Sequence, residues 1–219
     1  MSARPQPGSA TERVFAWVRE RILDGTFPAG RLLSEGEVSE AVEVSRTPVR
    51  EAFLRLAGEG MLELYPKRGA LVVPVSTSEL LQVHEARALI EPWAAQVVAA
   101  SPDRGAVAER LRMHIADSMR ALEARDFRAF QAADRAFHTT LISAAGNQLL
   151  LDFYSTLRDI QLRGGLRAAQ TIPGRGEQIL AQHELIVSAI ERGDGQTAGD
   201  LLGTHLRRTA EVLGLSLPA

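Results

Sequence analysis

From about residue 78 to residue 213 the chain repeats its apolar side chains at helical spacing. Only short breaks interrupt the pattern: SPD, ARD, GN, the IPGRG stretch and RGDG. Such spacing lines one face of a helix, whereas a strand alternates with period two. The periodicity predicts helices over about 78–100, 104–124, 127–145, 148–163, 176–192 and 195–213. Six helices joined by short connections form an antiparallel bundle.

The stretch ahead of the bundle is built differently. A helix over about 11–24 carries Val14, Val18 and Ile22 on one face. A second, about 35–42, opens at Ser34 with Glu37 three residues on, the spacing of a capping box. A third, about 46–59, has Pro48 in its first turn, where the missing N–H costs nothing, and stops at Gly60. Two β-prone segments, MLELY and ALVVPV, follow as a hairpin around PKRG, with Gly69 giving the turn its freedom. PVSTSEL is a hinge, and Ser76 with Glu79 can cap the next helix. The expected fold is therefore mainly α. It has a Pro/Ser-rich disordered tail (1–10), a winged helix-turn-helix (11–75) and a six-helix bundle (76–215).

A winged helix-turn-helix places its third helix in a DNA major groove. In VSRTPVREAFLRL the residues Val49, Ala52, Phe53 and Leu56 form a buried stripe, with Arg46 and Arg50 one turn apart on its flank. Ser45, Arg46 and Thr47 stand at the helix start, where side chains and free N–H groups can meet phosphates or base edges. Arginine suits a bidentate contact with guanine. Lys67 and Arg68 at the hairpin tip suit phosphates or the minor groove. Bulk charge gives no support, since residues 1–75 hold ten basic and ten acidic side chains. The bland alternative is a solvated face with Glu51 and Glu59 as countercharge.

Inside the bundle, Asp134 and His138 lie one turn apart on the face that carries Phe130, Phe137 and Leu141. His183 sits amid Ile179, Leu180, Ile186, Val187 and Ile190, and His205 shares a face with Leu201, Leu202 and Val212. A single buried histidine is ordinarily a satisfied core residue. A His–Asp pair would explain one helix and leave two histidines over; a shared divalent metal explains all four residues. Imidazole and carboxylate ligands suit zinc, nickel, iron or manganese. The chain has no cysteine, which excludes thiolate ligands and disulfides. His84 and His114 read as surface or packing residues, Asn147 as an N-cap after Gly146, and Arg87 as an i, i+4 partner of Glu91.

The segment from FPAGRLLSEGEVSE through VSRTPVREAFLRLAGEGMLELYPKRGALVVPV resembles the DNA-binding domain of GntR-family bacterial transcription regulators over about fifty residues. The resemblance implies DNA contacts by Ser45, Arg46, Thr47 and Arg50, with Gly69 as the wing glycine and Arg31 in the opening segment. Gly36 departs from the family, which usually has a basic residue there. ADRAFHTTLISAAGNQLL, QHELIVSAI and LLGTHL resemble the signature segments of the FCD effector domain in the FadR branch, in its shorter, VanR-like form. By that resemblance Asp134, His138, His183 and His205 hold one divalent ion per chain, zinc being the one expected in a purified sample. Arg87 grips the carboxylate of a small organic acid, with Asn147 a further pocket candidate.

The expected protein is a dimeric, ligand-responsive regulator of a double-stranded, pseudo-palindromic operator. It is expected to be cytoplasmic, with no membrane partner. Two alternatives stay open. One is a regulator for which the metal itself is the signal. The other is a helical metal-dependent hydrolase, which would need a general base beyond Asp134.

Overall fold

The computed structural model describes residues 8–165 and 174–215. Most of the expected tail therefore lies outside the described residues. The chain divides into two compact units between Val75 and Ser76. Among the described residues are nine helices and one three-stranded sheet. None of these helices is long and apolar enough to cross a membrane.

In the first unit α1 (Ala10–Leu23) buries Val14, Phe15, Val18 and Ile22 and is capped by Ser9. Helix α2 (Glu35–Val42) is capped by Ser34, which accepts from the Glu37 N–H. The Glu37 carboxylate pairs with Arg31, so only one half of the expected capping box is seen. Helix α3 (Arg46–Gly58) packs Val49, Ala52, Phe53 and Leu56 into this unit's core. Its N-cap Ser45 makes no side-chain capping bond, which leaves both hydroxyl and helix N-terminus open to a ligand.

The wing is a sheet of three strands, β1 (Leu32–Leu33), β2 (Leu62–Tyr65) and β3 (Gly69–Val72), in the order β1-β3-β2. Both pairings are antiparallel, with Leu33 opposite Ala70 and Tyr65 opposite Gly69. β1 was not expected, because two residues cannot show an alternating pattern. Its position explains Gly69. The backbone there has φ +113°, and a Cβ would lie 2.1 Å from the Leu33 carbonyl oxygen. Only glycine allows β1 to cross so closely.

The second unit is a bundle of α4 (Thr77–Ala100), α5 (Arg104–Glu123), α6 (Phe127–Ala144), α7 (Gln148–Gly165), α8 (Arg175–Glu191) and α9 (Gly195–Val212). Ser76 and Glu79 form both bonds of the capping box at the start of α4. Asp126 and Asp194 cap α6 and α9 in the same manner as Ser34 caps α2. The core is apolar, with Phe137, Leu141, Ile142, Ile186, Ile190, Leu202 and Leu206 almost fully buried. α9 lies tightly on α4: a Cβ on Gly199 would come 3.3 Å from the Pro92 carbonyl oxygen. Close contact of these two helices sets the depth at which the side chains of α4 enter the bundle.

Candidate metal centre and nucleic-acid surface

Three helices deliver the polar side chains of the bundle interior. α6 supplies Asp134 and His138, α8 supplies His183 and α9 supplies His205. The three histidines are 0%, 1% and 3% exposed, so no ring is solvated by bulk water. Each offers a ring nitrogen within 4.8 Å of the other two. Asp134 Oδ1 lies 3.9 Å from His138 Nε2 and 3.8 Å from His183 Nε2. Phe137 stacks on the His183 ring at 4.0 Å between centroids, which restricts its rotation. His138, His183 and His205 thus converge, with Asp134 beside the first two.

A second set of side chains orients the rings. His138 Nδ1 is 2.6 Å from Glu91 Oε2, and His205 Nδ1 is 2.8 Å from Gln182 Oε1. With Nδ1 donating to an acceptor, the lone pair falls on Nε2. The Nε2 atoms of His138 and His183 are buried without a hydrogen-bond partner among the described residues. Burial first, then the neighbouring histidines, hold His205 well below its ordinary pKa. Burial and His138 push His183 down to about 3, so both rings are neutral and keep their electron pairs. Burial opposes ionisation of Asp134, but His138, His183, Arg158 and Arg87 outweigh it and hold its pKa low. Converging lone pairs beside one carboxylate, with nothing to donate to them, fit a divalent cation.

Glu91 is the residue whose role the sequence did not disclose. It is fully buried, receives Arg87 Nε at 2.5 Å and the Tyr154 hydroxyl at 2.8 Å, and faces His138. Burial alone would raise its pKa, but Arg87 and His138 hold it well below the carboxylate range. With three donors on it, Glu91 is no free general base. A cavity of about 100 Å³ adjoins the cluster, lined among others by Arg87, Asp134, His138 and His205. Asn147 is exposed and caps α7 by accepting from the Leu150 N–H. It is not among the cavity's lining residues. His114 lies 3.0 Å from the Thr140 hydroxyl, whereas His84 is fully buried with neither ring nitrogen bonded.

In the first unit Ser45, Arg46, Thr47 and Arg50 are exposed, as are Lys67 and Arg68. A groove lined by Ser34, Gly36, Arg46, Arg50, Lys67 and Gly69 joins the start of α2, the flank of α3 and the hairpin tip. Arg50 Nε sits 2.8 Å from both oxygens of Glu35, a countercharge brought by α2. Neither Glu51 nor Glu59 fills that role; Glu51 accepts from Thr11. Arg46 Nη2 would lie 3.8 Å from a Cβ at Gly36, so the space left by the absent side chain is next to that guanidinium. Arg31 pairs with Glu37 and lies over the Phe27 ring.

Residues 10–72 match the profile of the bacterial regulatory proteins of the gntR family, and residues 82–208 match that of the FCD domain. The HTH-type transcriptional repressor RspR of Escherichia coli (strain K12) is 30% identical over 200 residues, covering 91% of this chain and 87% of RspR. A gluconate operon transcriptional repressor of Bacillus licheniformis is 26% identical over 195 residues, covering 83% and 76% of the two chains. Among solved structures, E. coli McbR/YncC superposes with a TM-score of 0.77 over 95% of this chain and 98% of that one. Its 21% identity speaks to the fold alone.

The buried histidines set a pH dependence. Burial, then Arg87, pushes His84 down to about 4, and His183 and His205 are depressed as well. The unfolded chain protonates its histidines near pH 6.5 and gains protons that the folded chain refuses. Stability is therefore complete above about pH 6.5 and drains as the pH falls toward about 4, by up to roughly 1.4 kcal/mol per histidine per pH unit. Urea denaturation of chelator-treated protein should show a clear loss between pH 7 and pH 5. Equal stability at the two values would mean that these rings are not buried neutral.

Proposed function

This chain belongs to the GntR family of bacterial regulatory proteins and carries an FCD domain behind its DNA-binding module; on that premise we propose a metal-dependent, acid-responsive regulator. Residues 11–75 form the DNA-binding domain, and residues 76–215 the metal, effector and dimerisation domain. The protein acts as a cytoplasmic homodimer, because two copies of α3 related by a two-fold axis match a pseudo-palindromic operator. Arg46 and Arg50 read bases, while Lys67 and Arg68 with the Ser45 and Thr47 hydroxyls hold phosphates.

The observation that carries the metal reading is the pair of buried, unpartnered Nε2 atoms at His138 and His183, with His205 and Asp134 beside them. These four residues would hold one divalent ion, zinc in a purified sample. Such an ion, held by these four residues, would supply Lewis acidity toward a carboxylate oxygen of the effector. The chain's own residues do the rest. Glu91 and Gln182 keep two imidazoles aimed inward, and Phe137 fixes the third. Arg87 lines the cavity with its charge already matched by Glu91, so it contributes hydrogen-bond donors more than net charge. The cavity's small volume suits a compact organic acid and not a long acyl chain.

Two experiments test the halves of this reading. Purified protein should carry close to one divalent ion per chain by elemental analysis, and chelation should lower its melting temperature, since a ligand of the folded state alone stabilises it. Metal-free protein whose melting does not respond to zinc, nickel or manganese contradicts the metal site. On operator DNA, Arg50→Ala should cost roughly 1–3 kcal/mol of specific binding, and Lys67→Ala should weaken all sequences about equally. A mobility-shift titration in which Arg50→Ala binds the operator like the parent refutes the placement of α3.

A further inference from the structure

The cavity beside the histidine cluster contains more positive charge than one carboxylate can use. Arg87, Arg135, Arg158 and Arg175 all line it, and among the described residues Asp134 is the one acidic member of its lining. These arginines differ in how well they are matched. Arg87 is neutralised by Glu91. Arg175, 4% exposed, has the neutral hydroxyl of Thr209 at 3.0 Å. Arg158, 6% exposed, gives Nη1 to Gln161 at 3.1 Å, while its Nε and Nη2 are buried with no hydrogen-bond partner among the described residues.

An unmatched guanidinium edge is costly to bury, because charged donors left without acceptors lose their hydration for nothing. The free pair is Nε and Nη2, the two-donor edge that receives both oxygens of a carboxylate or phosphate. Crowding adds to the demand for an anion. Burial, and then the charge of Arg208, depress the pKa of Arg175. Asp134 cannot serve all of these cations, since its Oδ1 is turned toward His138 and His183.

We propose that the effector is a small di-anion: one acid group lies at the Asp134–His138–His183–His205 cluster, and a second is received by the free edge of Arg158, with Arg175 alongside. This rests on the reading of the helical unit as a metal-dependent effector domain, and narrows it from an organic acid to one bearing two acidic groups. The second group is a carboxylate or a phosphate, which present the same oxygen edge. Arg158, and not Arg87, is then the residue that distinguishes a di-anion from a mono-anion.

The test uses the zinc-loaded full-length protein and matched pairs of acids: butanoate with butanedioate, and glycerate with 3-phosphoglycerate. Calorimetric titration should show at least one two-acid ligand bound about tenfold or more tighter than its one-acid partner; the pair that shows it tells carboxylate from phosphate. In Arg158→Met that preference should collapse to about twofold or less while the mono-anion changes little, and Arg158→Lys should restore part of it. Equal binding of both members of each pair by the wild-type protein overturns the proposal, and this arm stands even if Arg158→Met does not fold. A preference that survives in folded Arg158→Met also overturns it. Chelation separates the two layers: acid binding untouched by zinc removal refutes the metal reading, whereas zinc-dependent binding without di-anion preference refutes this inference alone.

Discussion

Glu91 has no contact with solvent, and its carboxylate meets Arg87 from its own helix, His138 from α6 and Tyr154 from α7. A bare carboxylate in such a place would cost several kcal/mol, and each donor offsets part of that. The arrangement ties three helices through one side chain and fixes which nitrogen of His138 carries the proton. Had Glu91 been absent, the ring could rotate or donate inward, and the lone pair that a cation needs would be lost. The tight contact of α9 on α4 at Gly199 matters for the same reason, since it sets where Glu91 and Arg87 enter the bundle.

This network alters what substitutions can report. Removing Arg87 would strand a buried carboxylate and free the donor geometry at His138, so any loss of acid response would mix effector contact with damage to the cluster. Arg158 is simpler to interpret, because its unmatched edge makes no hydrogen bond to any other described side chain. A ligand can shift a regulator between two forms only by its difference in affinity for them, and several kcal/mol are needed for a decisive change. A second acid group at Arg158, beside one at the histidine cluster, would give that difference a physical source.

Much of this was legible in the sequence because helical spacing is a local rule. Asp134 with His138, and the apolar neighbours of His183 and His205, announce inward faces without reference to any other helix. The winged module was legible for a related reason: its caps, its proline at the first turn and Gly69 each belong to one element. What stayed hidden depends on how elements meet. Glu91 showed only as the i+4 neighbour of Arg87, and its bonds to His138 and Tyr154 require the rotation of three helices. Glu35 reaches Arg50 across two helices, which no reading of α3 alone could give. β1 is two residues long and exists only because β3 passes beside it. The unmatched edge of Arg158 likewise shows only once α7 is packed against its neighbours.

The central claim is that three imidazoles and one carboxylate from three helices form a single coordination site. X-ray absorption at the edge of the bound metal reads that set directly. A first shell of nitrogen and oxygen only is expected, at about 2.0–2.2 Å if the metal is zinc, with the multiple-scattering signal of three imidazoles. In His183→Gln one imidazole should be missing. A shell with one imidazole or none, or a shell unchanged in His183→Gln, would contradict it.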